Sequence, residues 1–263
     1  VMQDTVAYED LLAARHGEHV LHLTLNRPAL RNALRNQSLR EIVAALARAE
    51  EDDSVRVVVI SGNEKAFAAG ADLNEMIHKD AIATQLDVRA QYWRAIARFP
   101  KPILAAVNGY ALGAGCELLM HADIAIAARG AKIGQPEINV GTLPGAGGTQ
   151  RLIRTVGKPL AMKMVLSGEF ISADQALQAG LVAEVVDDDA TLERTLALAH
   201  SIAQKSPLAV RLAKEAMLQS FELGLEAGLL FERKSFSLMA ASADRQEGIA
   251  AFQEKRAAVF SGR

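Results

Sequence analysis

Ile103-Leu-Ala-Ala-Val-Asn-Gly-Tyr-Ala-Leu-Gly-Ala-Gly-Cys-Glu117 decides the fold. Its apolar opening, Ile103 to Val107, reads as a strand covered on both faces, because a short run without polar alternation has no side for water. Asn108-Gly109 ends that strand as a turn pair. Ala114 to Met120 then reads as a helix, and Ile124 to Ala128 as another buried strand. Strand, helix and strand in that order predict an α/β core.

The alternation extends toward the N-terminus. Val55 to Ile60 is short and rich in β-branched residues, a further buried strand, and Ser61-Gly62 follows it. Ser38 to Glu50 carries Leu39, Ile42, Val43 and Leu46 at the spacing of an amphipathic helix. Tyr8 to Ala14 and Val20 to Leu25 flank Gly17 and read as a hairpin. Ala83 to Phe99 reads as helical and is stopped by Pro100 and Pro102. From Gly145 onward the pattern is nearly all helical. Leu192 to Gln204, Leu208 to Leu223, Leu229 to Ala240 and Arg245 to Lys255 are amphipathic, and only Leu181 to Val186 reads as extended. The expected division is an α/β core over residues 1–195 and a helical C-terminal part over residues 196–263.

The 263 residues are 50% hydrophobic and 23% charged, with 29 Lys and Arg against 31 Asp and Glu and a net charge of −2. Such a balance gives no bulk attraction to nucleic acid or to anionic lipid. Asn108, Glu117, His121 and Asp123 interrupt the most apolar stretch, Ile103 to Ala128, which excludes a membrane span there. Cys116 is the only cysteine, so no internal disulfide forms and a reducing compartment is expected. Val1 to Asp10 holds Asp4, Glu9 and Asp10 without a basic apolar leader, so no uncleaved export signal is expected.

Two glycine-containing loops, Lys65 to Asp72 and Asn108 to Glu117, each follow a buried strand and precede a helical stretch. Small residues at such a junction let a ligand approach the backbone, and free N–H groups at a helix start attract an anion. Together the loops could form a two-donor oxyanion hole; tight strand–helix packing calls for glycine just as well. Neither loop has the spacing of a dinucleotide or Walker phosphate site.

Glu117 lies within the apolar run Leu112 to Met120, and Glu137 lies in Gly134-Gln-Pro-Glu137 among small and apolar residues. Burial raises the pKa of a carboxyl group and suits it to proton exchange near neutral pH. A structural acid that caps a helix or pairs with Arg151 is the alternative for each. Cys116 has no histidine partner in sequence and reads as a small buried hydrophobe. The six histidines form no metal-ligand pattern, and His19 and His22 would point to opposite faces of a strand. Phe221, Leu225 and Leu229 read as core or subunit interface, and Asp187 to Asp189 as a solvated turn.

Several segments together resemble the crotonase (enoyl-CoA hydratase/isomerase) superfamily. They are Leu25 to Pro28 with Asn32 to Leu34, Lys65 to Asp72, Pro102 to Glu117, Gly134 to Glu137, Gly141 to Leu152, and Asp244 to Ile249 with Glu254 to Arg256. They span almost the whole chain in the family's order. The resemblance implies a spiral of ββα units with a C-terminal helical trimerisation region, and trimers often paired into hexamers. It implies that Glu117 and Glu137 are the two catalytic acids and that the N–H groups of Ala71 and Ala114 form the oxyanion hole. Gly145 would position the attacking water. Lys65, Ala69 and, from a neighbouring subunit, Lys255 would bind coenzyme A, and Met76 would line the acyl pocket. The implied activity is addition of water to a 2-enoyl-CoA, as in fatty acid β-oxidation. The substrate carries the coenzyme A, so neither a metal nor a separate cofactor is implied.

Within that superfamily, Gly70 to Met76 with Lys79-Asp80, and Ala111 to Leu118, resemble a bacterial branch acting on 2,3-dehydroadipyl-CoA in phenylacetate catabolism. A dicarboxylic acyl chain calls for a cation at the far end of the pocket, for which Arg89 and Arg94 are candidates; solvated helix-surface positions are the alternative for both. Other activities that the resemblance leaves open are Δ3-Δ2-enoyl-CoA isomerisation and RNA binding by a non-catalytic relative. Both glutamates and the net charge of −2 weigh against the latter. The implied setting is the bacterial cytoplasm, or a mitochondrion for a processed form.

Overall fold

The computed structural model describes residues 2–3 and 7–263; Val1 and residues 4–6, part of the stretch read above for a leader, lie outside the described residues. The strands are β1 (Met2–Gln3), β2 (Leu11–His16), β3 (Val20–Leu25), β4 (Val57–Ser61), β5 (Ala66–Ala68), β6 (Ile103–Val107), β7 (Tyr110–Leu112), β8 (Ile124–Ala128), β9 (Lys132–Gly134), β10 (Phe170–Ser172) and β11 (Glu184–Val186). One sheet has the order β1-β2-β3-β4-β6-β8-β11 and the other the order β10-β9-β7-β5. From β3 to β11 the large sheet is parallel, while the β1-β2-β3 edge is antiparallel. In the small sheet β5, β7 and β9 are parallel.

Each turn of the chain therefore lays a long strand in the large sheet and a short one in the small sheet. β4 leads to β5, β6 to β7 and β8 to β9, with helical segments between successive pairs. This is the expected spiral of ββα units. The central strands β4 and β6 are buried along their whole length. Val58, Ile60, Ile103, Ala105 and Val107 share a core cluster with Leu39, Ile42 and Leu46 of helix Asn36–Glu51, while Val57, Val59 and Leu104 share another with Ala199 and Ala203 of helix Thr191–Ala203.

Sequence reading differs from the structure in five places, the first being β10, Phe170–Ser172, a short strand within the stretch read as helical apart from Leu181 to Val186. The glycine loops contain β5 and β7, three-residue strands too short to show a period of two. The single helix expected over Ala83 to Phe99 is two, Ala81–Gln85 and Arg89–Ala97, because the Asp87 side chain accepts the N–H of Arg89 and starts a new helix there. Only Glu184–Val186 of the Leu181–Val186 stretch is a strand. His19 lies in the turn before β3, so His19 and His22 do not share a strand; His22 meets Ser61 at 2.7 Å and His16 at 3.3 Å.

Helix Thr191–Ala203, which contains the expected 195/196 division, packs on β4, β6 and β8. Beyond it, helix Pro207–Gln219 has no buried residue, and helix Leu225–Met239 has only Ser235. Asp244 ties the C-terminal end down by accepting from Ser206, Ser261 and Gly262.

Candidate active site

β7 delivers the chain to Gly113, which adopts φ +51° and ψ −122° and starts helix Ala114–His121. That conformation is open to glycine and strained for other residues. A Cβ on Gly113 would lie 3.1 Å from Glu137 Oε1 and 3.7 Å from Gly70 Cα. One point in space thus joins three chain segments: the loop before Ala71, the start of the helix at Ala114, and the Glu137 carboxyl. Gly115 serves the other purpose foreseen for these glycines. A Cβ there would sit 1.9 Å from the carbonyl oxygen of Ala68, so the helix packs directly on β5.

The N–H groups of Ala71 and Ala114 donate to no other group among the described residues. The loop holding Ala71 is fixed on either side of it, since Leu34 N donates to Gly70 O and Asp72 N to Leu34 O. Asp72 is anchored through its side chain by Arg27 at 3.0 Å.

Glu117 is buried on helix Ala114–His121. Its Oε1 accepts the N–H groups of Ala146 at 2.7 Å and Gly148 at 2.8 Å. Those groups belong to the turn that begins helix Gly148–Val156, so the carboxylate occupies the positive end of that helix. Oε2 accepts from no group among the described residues. Glu117 therefore caps a helix with one oxygen and leaves the other without a donor among the described residues. Burial raises its pKa, opposed in turn by the Gly148 and Ala146 N–H groups and by the charges of Arg89 and Arg151. Arg151 acts only through its field; it makes no ion pair with either acid.

Glu137 stands in a 3-10 turn, Pro136–Val140. Burial pushes its pKa up to about 7; its own backbone N–H opposes the rise and the neighbouring Glu117 charge adds to it. Gln135 is fully buried beside it, its side-chain amide 2.9 Å from Oε1 and 3.1 Å from Oε2 and able to donate there in one of its two amide orientations. The two carboxyl groups thus differ: Glu117 has N–H donors and nearby cations favouring its anion, whereas no cation supports that of Glu137.

Gly145 is in the turn that holds Glu117, and a Cβ on it would meet nothing within 4 Å. Ala69 donates to Arg31 O, next to the Ala71 loop. Lys65 is exposed at the start of β5, and Met76 is exposed after the 3-10 turn Leu73–Glu75. Lys255 is exposed at the end of the last helix, and no contact joins it to the other candidates among the described residues. Cys116 is completely buried, and burial raises its pKa far above the usual thiol range, as befits a packing residue. Sequence reading missed Gly113, Gln135 and the Ala146 and Gly148 donors. Only the glycine run before a helix hinted at the last two.

Among the described residues, no three or more His, Cys, Asp and Glu side chains are placed to hold a metal ion, and no helix is long and apolar enough to cross a membrane.

Residues 15–263 match the family described as enoyl-CoA hydratase/isomerase. The chain is 56% identical over 254 residues to the 2,3-dehydroadipyl-CoA hydratase of Escherichia coli K12, covering 97% of this chain and 99% of that one. It is 44% identical to the mitochondrial enoyl-CoA hydratase of Pongo abelii over 96% of this chain and 88% of the other. A crystal structure of an enoyl-CoA hydratase subunit from Geobacillus kaustophilus superimposes with a TM-score of 0.94 at 41% identity, covering 97% of this chain and 99% of that one.

Proposed function

The chain belongs to the enoyl-CoA hydratase/isomerase family and is an enoyl-CoA hydratase; we propose that its substrate is 2,3-dehydroadipyl-CoA and that Glu117 and Glu137 perform the hydration. The observation that carries the mechanism is the asymmetry of the two carboxyl groups. Glu117 has one oxygen tied and the other free, beside a Glu137 whose pKa is pushed up to about 7.

The thioester oxygen sits between the N–H groups of Ala71 and Ala114. Water, held by both acids beside Gly145, gives a proton to Glu117 Oε2 as its oxygen bonds to C3. The displaced π electrons move through C2 to the thioester oxygen, where the two N–H groups stabilise the enolate; one such donor contributes roughly 3–4 kcal/mol. Protonated Glu137 then gives its proton to C2. The enolate collapses to a 3-hydroxyacyl-CoA, and the proton taken up by Glu117 restores Glu137 through water. Coenzyme A arrives with the substrate, so this sequence uses no separate cofactor.

Lys65 and Ala69 contact coenzyme A in this reading, with Lys255 contributed by a neighbouring subunit, and Met76 borders the acyl chain. The assembly is a trimer or a pair of trimers. Its support is apolar surface on helix Leu225–Met239 that one chain leaves open, with Leu225 79% and Phe236 63% exposed. A bacterial enzyme of the reducing cytoplasm, working in phenylacetate breakdown, fits the single buried thiol and the substrate.

Comparing hydration of crotonyl-, 2-hexenoyl- and 2,3-dehydroadipyl-CoA tests the substrate. The dicarboxylic thioester should show the highest kcat/KM. Equal values for the two six-carbon substrates would remove the dicarboxylic assignment and leave the hydratase in place.

A further inference from the structure

We propose that Arg89 is the specificity-determining residue that binds the terminal carboxylate of a dicarboxylic acyl chain. The proposal rests on the hydratase reading and on the position of Glu117 in it. In a six-carbon 2-enoyl dicarboxylate, two methylene groups separate C3 from the terminal carboxyl carbon. With C–C bonds of about 1.5 Å, the carboxylate oxygens end roughly 5 Å beyond C3. Since C3 receives the water activated by Glu117, the receiving cation must lie within electrostatic reach of that glutamate. The cations that influence Glu117 are Arg89 and Arg151.

Their placement separates them. Arg89 begins helix Arg89–Ala97, behind the loop that carries Met76, and its side chain is 18% exposed. Its Nη2 donates to Leu34 O at 3.0 Å and its Nη1 to Asn36 Oδ1 at 3.3 Å. Leu34 is bridged to Ala71, so the guanidinium is held beside the oxyanion loop. Both acceptors are neutral, and they occupy two of five N–H donors. Arg151 instead lies against Gly147, in the turn that caps Glu117, and Glu222 is the carboxylate that influences it most. Arg94, the other sequence candidate, is exposed to solvent.

Arg89 is also incompletely neutralised. The carboxylate nearest to it is Glu75 at 3.8 Å, whereas Arg27 meets Asp72 at 3.0 Å and Arg35 meets Asp10 at 2.8 Å. Glu75 Oε2 is already engaged by Asn36 N, and Asp87 by Lys79. Glu117 and Asp72 act on Arg89 only at longer range. A guanidinium withdrawn from water, whose one carboxylate partner stands at 3.8 Å and is shared with a backbone N–H, leaves a place for an anion supplied by a ligand.

The test uses the full-length enzyme and two thioesters of equal length, 2,3-dehydroadipyl-CoA and 2-hexenoyl-CoA. Arg89→Met should lower kcat/KM on the dicarboxylic substrate about 10²-fold more than on hexenoyl-CoA, the scale for removing one partner of a hydrogen-bonded charge pair. Arg89→Lys should keep part of the discrimination. Should Arg89→Met fail to fold, Arg89→Gln, which can still donate to Leu34 O without charge, carries the same comparison. Equal losses on both substrates would mean that Arg89 only braces the Leu34–Ala71 bridge, and would overturn the proposal. Selective loss of the dicarboxylic activity in Arg151→Met, with Arg89 variants unselective, would overturn it in favour of Arg151. A wild-type enzyme preferring hexenoyl-CoA would refute the Arg89 assignment together with the dicarboxylic substrate and leave the hydratase in place, whereas one hydrating neither would refute the hydratase reading itself.

Discussion

Around Glu117 the chain supplies its own partners, while its C-terminal helices leave theirs open. The Glu117 carboxylate is bound by Ala146 and Gly148, Asp72 by Arg27, and the Leu34 carbonyl by Asp72 and Arg89. Helix Pro207–Gln219 has no fully buried residue, and Phe252 on the last helix is 86% exposed. The contrast separates two tasks. In the proposed reading, chemistry depends on a few polar atoms held within one chain, whereas the C-terminal third carries apolar area that one chain leaves exposed.

Disabling the acids should have the largest effect. Glu117→Gln and Glu137→Gln should each lower kcat by about 10²–10⁴, the range for general acid–base groups. The double variant should be little worse than the poorer single one, because the acids act as a unit. Sedimentation should be unchanged in all three if chemistry and assembly are separate. The wild-type rate should also fall above about pH 7, as Glu137 loses the proton that it must donate. Near-normal hydration by Glu117→Gln would end the two-acid mechanism.

A second effect lies directly behind the site. His121 donates its Nδ1–H to the Glu117 carbonyl, and burial, with the Arg151 charge, lowers its pKa to about 4. An unfolded histidine titrates near 6.5, so the folded state takes up the proton less readily. The stability that neutral His121 contributes is full above about pH 6.5 and is lost as pH falls toward 4. Glu137 acts in the opposite sense, since its raised pKa favours the folded state as pH drops from 7. Thermal unfolding of His121→Phe, compared with wild type at each pH, cancels that contribution. The variant should gain on the order of 3 kcal/mol relative to wild type between pH 6.5 and 4. A pH-independent difference would show that His121 does not resist protonation.

The smallest effect belongs to the open surface. If Phe236 packs against a second copy, Phe236→Asp should weaken association by about 10–10²-fold, equivalent to roughly 1.5–3 kcal/mol of apolar burial. Light scattering across a dilution series would measure it. An unchanged dissociation curve would move the interface away from helix Leu225–Met239 and erase the contrast drawn above.

Much of the core was readable locally. Ile103–Val107 and Val20–Leu25 declare themselves because burial on two faces, or in a hairpin, imposes a composition on a few adjacent residues. Glu117 was legible for a similar reason: a carboxylate inside an apolar run needs compensation. β5 and β7 were not legible, because three residues carry no period and their partners come from other turns of the spiral. The break at Asp87 was hidden too, since the apolar spacing continues past it.

Sequence by itself determined the long strands and helices of the core, the burial of Glu117 and the amphipathic character of the C-terminal helices. Each follows from interactions among neighbours along the chain. Tertiary structure alone decided that Glu117 Oε1 meets the N–H groups of Ala146 and Gly148, that Gly113 lies between Gly70 and Glu137, and that Arg89 rather than Arg94 faces inward. A local pattern records how much water a residue can tolerate. The ionisation of a carboxyl group and the free valence of a guanidinium depend on donors and charges from distant segments, which meet only when the spiral closes.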